Sequence, residues 1–258
     1  MEKKLINWRV VIILLILSIV GIIAVLPYTL TLQSEIIKSM KIPLEAVIIS
    51  SIIQNAILFF ILILIGHIVA RKINLGTPIL EKFTKGKKVI KDIKNILPIS
   101  IGLGGLSGAI IIALDLIFAN LTPKISTTTV LPGAVYGFFA SFYGAINEEI
   151  MLRLFLMSIV IFLIRFITKN KEKEIKPIVA WIAIIFTALI FGLGHLPITS
   201  SITAISPFIV ARALVLNGVA GIVFGWLYWK KGLESAMISH FSADIVLHVL
   251  LAAILTIG

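Results

Sequence analysis

The 258-residue chain contains no cysteine. That excludes a disulfide framework, thiolate metal sites and a cysteine nucleophile. Charge is scarce too: Asp, Glu, Lys and Arg make up 14% of the residues, 59% are hydrophobic, and the mean hydropathy is +1.14. A typical soluble domain carries about 25% charged residues. The deficit falls in long apolar runs, many of them about the 20 residues that a helix needs to cross a bilayer. No soluble core of this size buries so many, so the sequence describes a polytopic integral membrane protein.

The apolar runs span roughly residues 10–27, 45–70, 97–119, 130–168, 178–197, 206–229 and 235–257. Each reads as a helix, because lipid-exposed backbone must satisfy its own hydrogen bonds. The expected fold is all-α: one integral membrane domain over 1–258, a bundle of seven to eight transmembrane helices without internal repeats. The first run follows Lys3, Lys4 and Arg9 and ends at Pro27 and Tyr28 without a small-x-small cleavage site, which points to an uncleaved first helix. The run 130–168 is too long for one ordinary span, and Asn147, Glu148 and Glu149 interrupt it. It is either two helices or one broken, tilted helix.

A net charge of +11 would suggest nucleic acid in a soluble protein. Here the basic residues sit in short loops, as in cytoplasmic loops of membrane proteins, so the expected partner is the lipid bilayer and not nucleic acid. Segment 71–96 holds Arg71, Lys72, Lys82, Lys85, Lys87, Lys88, Lys91 and Lys94. Segment 165–176 adds Arg165, Lys169, Lys171, Lys173 and Lys176, and Lys230 with Lys231 form a third basic loop. A multi-pass protein of the cell membrane with its N-terminus in the cytoplasm fits this pattern if 130–168 crosses once. Two crossings there would put one basic loop outside. Three glycine pairs four residues apart, Gly104 with Gly108, Gly133 with Gly137 and Gly221 with Gly225, suggest close helix packing.

The informative residues are polar ones within or at the ends of apolar runs: Glu148, Glu149, Arg153, His195, Arg212, His240, Asp244 and His248. An ionised side chain at mid-bilayer costs roughly 3 kcal/mol, so such a cluster faces itself or a wet cavity. Glu149 and Arg153 are four apart and can pair, which leaves Glu148 free to exchange protons. His240, Asp244 and His248 share one stripe of the last helix. A glutamate and a histidine can activate water directly. Two histidines and a carboxylate can instead bind Zn²⁺, which lowers the pKa of a bound water to about 7. The same residue types also serve ion or proton pathways. Asp115 and His67 read as structural. Arg212 reads as pairing with an acid in the bundle, or as holding a substrate carboxylate. Trp8, Trp181, Tyr228 and Trp229 lie at run ends, as interfacial anchors do.

Glu148-Glu149-Ile-Met-Leu-Arg153 matches EExxxR, Phe191-Gly-Leu-Gly-His195 matches FxxxH, and His240-Phe-Ser-Ala-Asp244 matches HxxxN/D. In this order, on apolar segments, the three motifs resemble those of the CAAX protease and bacteriocin-processing (CPBP) family of intramembrane proteases, related to the type II CAAX prenyl endopeptidases. The resemblance covers about residues 130–250. It implies about eight membrane helices around a polar cavity, and an endopeptidase acting on a membrane-associated peptide or prenylated CAAX-type protein. By motif, Glu148 and His195 would activate water, Glu149 would support the site through Arg153, and His240 with Asp244 would stabilise the oxyanion. Asp244 stands where members with Asn have a neutral amide, which favours a role in orienting His240. A metallo-endopeptidase would place Zn on His195, His240 and Glu149. The rival classes are a proton-coupled transporter or channel and a non-catalytic bacteriocin-immunity protein.

Overall fold

In a computed structural model, residues 5–39, 42–119, 132–169, 172, 174–201 and 203–257 are described, and among them there is no strand. Among the described residues seven helices are long and apolar enough to cross a membrane: α1 (Trp8–Leu32), α2 (Leu44–Lys72), α3 (Ile90–Phe118), α4 (Ala134–Ile167), α5 (Pro177–Ser200), α6 (Pro207–Lys231) and α7 (Leu233–Ile254). Two short helices, Ser34–Ser39 and Pro78–Phe83, lie in connections. The chain is the expected polytopic helical bundle.

The long run 130–168 resolves into one helix. The 34 residues of α4 rise about 51 Å at 1.5 Å per residue, more than the bilayer core of about 30 Å. Its middle is π-helical, over Gly144–Glu148 and Ile150–Met157, and α7 has a π-helical stretch at Ile245–Leu250. Such stretches are rare and frequently sit at functional sites. Here they adjoin the paired glutamates and Asp244.

One crossing by α4 brings the basic loops to the same end of the bundle, and contacts at that end join them. Asn7 Nδ2 donates to Thr84 Oγ1 (3.0 Å) and Arg9 Nη1 to the Thr84 carbonyl (3.1 Å). Leu233 N donates to the Gly76 carbonyl (2.9 Å), and Leu80 N to Glu234 Oε1 (2.8 Å). The turn between α6 and α7 is made at Gly232, whose φ of +99° suits glycine and where a Cβ would strike the Pro78 ring.

Small residues set the helix spacings. A Cβ on Gly104 would meet the Ser239 carbonyl of α7, and one on Gly108 would lie 2.8 Å from Val246 Cβ. Gly221 and Gly225 face Ala188 and Ile184 of α5. The pair Gly133/Gly137 does not act as a pair: Gly137 abuts the His248 carbonyl, but Gly133 precedes the first turn of α4 and has open space around it. Hydroxyl and amide groups add polar ties in the apolar interior. Ser100 Oγ meets Ser235 Oγ at 2.7 Å, and Ser158 Oγ meets Tyr228 OH at 2.7 Å. Tyr228 is therefore no interfacial anchor; it is fully buried with its hydroxyl satisfied inside the bundle. His67 is structural as expected, buried and accepting from Asn7 N at 3.1 Å.

Gly104→Ala should destabilise the bundle by about 1–3 kcal/mol, the usual cost of overpacking, because the new methyl meets α7 backbone. Gly105→Ala, at an adjacent position with nothing within 4 Å, should not. Thermal unfolding of both variants in one detergent checks the contrast.

Candidate active site

Glu148 and Glu149 leave α4 into different surroundings. Glu149 is fully buried and engaged twice through Oε1: it forms an ion pair with Arg153 Nη1 at 3.2 Å and accepts a hydrogen bond from His240 Nδ1 at 2.8 Å. Arg153, equally buried, donates from Nη2 to the Gly221 carbonyl at 3.0 Å. Its guanidinium also lies 5.4 Å from the Phe191 ring centroid and 5.6 Å from that of Phe224, at cation–π range. A charge that would be costly alone is thus held by a carboxylate, a carbonyl and two aromatic faces.

His240 hangs on this assembly. Its Nδ1 engages Glu149, and its ring stacks on Phe224 with centroids 4.5 Å apart and planes 22° apart. With Nδ1 so occupied, Nε2 turns to the other acids, 3.6 Å from Glu148 Oε2 and 3.7 Å from Asp244 Oδ1. His248 Nε2 stands 3.9 Å from the same Asp244 oxygen, so the α7 stripe is a contiguous polar line. Glycine at 144 lets α7 come this close to α4: a Cβ there would press on Asp244 Oδ2 and His240 Nε2.

His195 comes from a break in α5. Its Nδ1 lies 2.9 Å from the Phe191 carbonyl. A carbonyl only accepts, so Nδ1 donates here, and in the neutral ring Nε2 keeps its lone pair. Beyond it Leu196–Ser200 forms a short helix, which Pro197 in its first turn suits. Glu148, His195, His240, Asp244 and His248 line one cavity of about 530 Å³. Arg212 and Asp115 line it as well, joined at 2.6 Å, so Arg212 pairs with an acid.

The metal set named from sequence does not assemble. Glu149 lies behind His240, with its nearer oxygen committed to Arg153 and to His240 Nδ1, and it does not line the cavity. Among the described residues no three His, Asp or Glu side chains are grouped to hold a metal ion.

Several contributors escaped the sequence reading. Phe191 was seen only as a motif letter, yet it packs against Arg153, His195 and His240. Phe224 and Gly144 gave no signal beyond being apolar and small. Asn147 was read as an interruption; it donates from Nδ2 to Ser18 Oγ at 2.7 Å and hitches α4 to α1 beside Glu148.

Removing one partner of a buried ion pair costs about 3–5 kcal/mol, because the other charge is stranded. Arg153→Met should lower stability by that order, and Arg153→Met with Glu149→Gln should recover much of it. Thermal unfolding in detergent distinguishes the single from the double variant.

No curated protein and no solved structure matches the chain. Residues 129–246, which carry all three motifs, match the family model of the Rce1-like type II CAAX prenyl endopeptidases, and the resemblance to the CPBP family is borne out.

Proposed function

We propose that the chain is an intramembrane endopeptidase that cleaves a peptide or protein substrate in or at the membrane without a metal. The observation that carries this reading is the gathering of Glu148, His195 and His240 in one cavity, with Glu149 and Arg153 locked behind. The family match supports CAAX-type protease activity at the level of the family.

Glu148 takes a proton from a water molecule that also hydrogen-bonds to Nε2 of His195, and the oxygen of that water attacks the scissile carbonyl carbon. His240, as an imidazolium whose Nδ1–H is held by Glu149, donates its Nε2–H as a hydrogen bond to the oxyanion that forms. When the tetrahedral intermediate collapses, the C–N bond breaks and the proton held by Glu148 passes to the leaving amine. Asp244, across from Nε2, restrains the free edge of the His240 ring. The basic loops and the N-terminus lie in the cytoplasm.

Proton transfer by a placed side chain contributes about 10²–10⁴-fold. Glu148→Ala and His195→Ala should each lower kcat by that order on a farnesylated CAAX peptide or on the best member of a peptide library, with unfolding temperatures kept. Cleavage should persist in the presence of a chelator. Full activity in Glu148→Ala would sink the reading.

A further inference from the structure

The cavity closes toward one end of the bundle and opens toward the other. On α6 its lining runs from Arg212 through Leu216 and Ala220 to Phe224. One turn further toward Lys231 the way is shut by Leu227 and Tyr228, both 0% exposed. On α7 the lining starts at His240 and continues to Leu251, while Leu233 and Ala236 before it are 0% exposed. From α1 and α3 only the final turns take part, through Tyr28, Leu32 and Asp115. Side-chain exposure climbs the same way, from 5% at His240 and 12% at Asp244 to 21% at Glu148, then 34% and 41% at Arg212 and Asp115.

Charge is distributed oppositely. The closed end carries the basic loops 71–96 and 165–176 with Lys230 and Lys231. The segments that follow α1, α3 and α5 in the sequence, 33–43, 119–133 and 201–206, contain Lys38, Lys41 and Lys124 as their only Lys or Arg residues. Excess Lys and Arg in short loops marks the cytoplasmic face.

We infer that the cavity opens to the non-cytoplasmic face and takes polypeptide segments presented from that side, as parts of membrane or secreted proteins that have already crossed would be. The cleavage half of this inference rests on the peptidase reading; the sidedness does not. The volume of about 530 Å³ is within the usual range for a bound ligand, about 300–1,000 Å³. The aromatic floor of Phe191 and Phe224 suits an apolar residue beside the scissile bond.

A chain without cysteine makes the test clean, since each introduced thiol is the sole one. Ser200→Cys lies at the open end and Lys87→Cys in the basic loop, both exposed. A membrane-impermeant maleimide should label Ser200→Cys in intact cells and Lys87→Cys only after permeabilisation. The reverse pattern overturns the inference, as does Ser200→Cys staying unlabelled until the membrane is opened. In a second arm, a membrane-impermeant peptide library is added to sealed vesicles of either orientation. Cleavage by right-side-out vesicles alone is expected, and cleavage by inside-out vesicles alone overturns the inference. Cleavage by neither removes the peptidase reading and the substrate class with it, while the labelling result still decides the face.

Discussion

The buried ion pair of Arg153 and Glu149 constrains everything around it. Both side chains are fully enclosed in a bundle whose outer surface is hydrocarbon, where neither charge is tolerable alone. Their company dictates the neighbouring structure. Gly221 must be small, since α6 approaches α5 closely and offers its carbonyl to Arg153 there. Phe191 and Phe224 must present their faces to the guanidinium. His240 must come near enough to share Glu149, which in turn requires glycine at 144. Substitution at any of these positions reaches the histidine through one or two contacts.

The rest of the bundle answers a different problem. Between membrane helices there is little hydrophobic drive, because lipid tails are as apolar as leucine. Close approach at Gly104, Gly137 and Gly221 supplies dispersion contact, and the bonds Asn147–Ser18, Ser100–Ser235 and Ser158–Tyr228 supply register. Each of these bonds joins a different pair of helices. Together they tie α4 to α1 and α6, and α3 to α7, without placing a full charge in the interior.

What was legible in the sequence was whatever depends on local spacing. Hydropathy marked the spans, and separations of four residues marked the Glu149–Arg153 pair and the α7 stripe. The three motifs marked the residues that meet. What stayed hidden depends on tertiary contact. The fourth run looked like one or two helices because hydropathy does not register a π-helical middle. Tyr228 resembled an interfacial anchor because a tyrosine at a run end reads alike whether its hydroxyl finds water or Ser158. The zinc set is not grouped among the described residues for a related reason: residue types name possible ligands but not which oxygen is already committed.

Adjacent glutamates with unlike surroundings underlie the proposed chemistry. Two carboxylates both facing the cavity would repel each other and compete for one imidazole. Here the helix turns Glu149 into the bundle, where Arg153 and His240 Nδ1 hold it, and leaves Glu148 partly open across 3.6 Å from His240 Nε2. One carboxylate is fixed and the other faces the cavity. In the proposed reaction, these unlike environments make the first a support and the second the acid and base. The imidazole between them joins the two roles: held on one edge by the immobile carboxylate, it presents the other edge to the cavity in a defined direction.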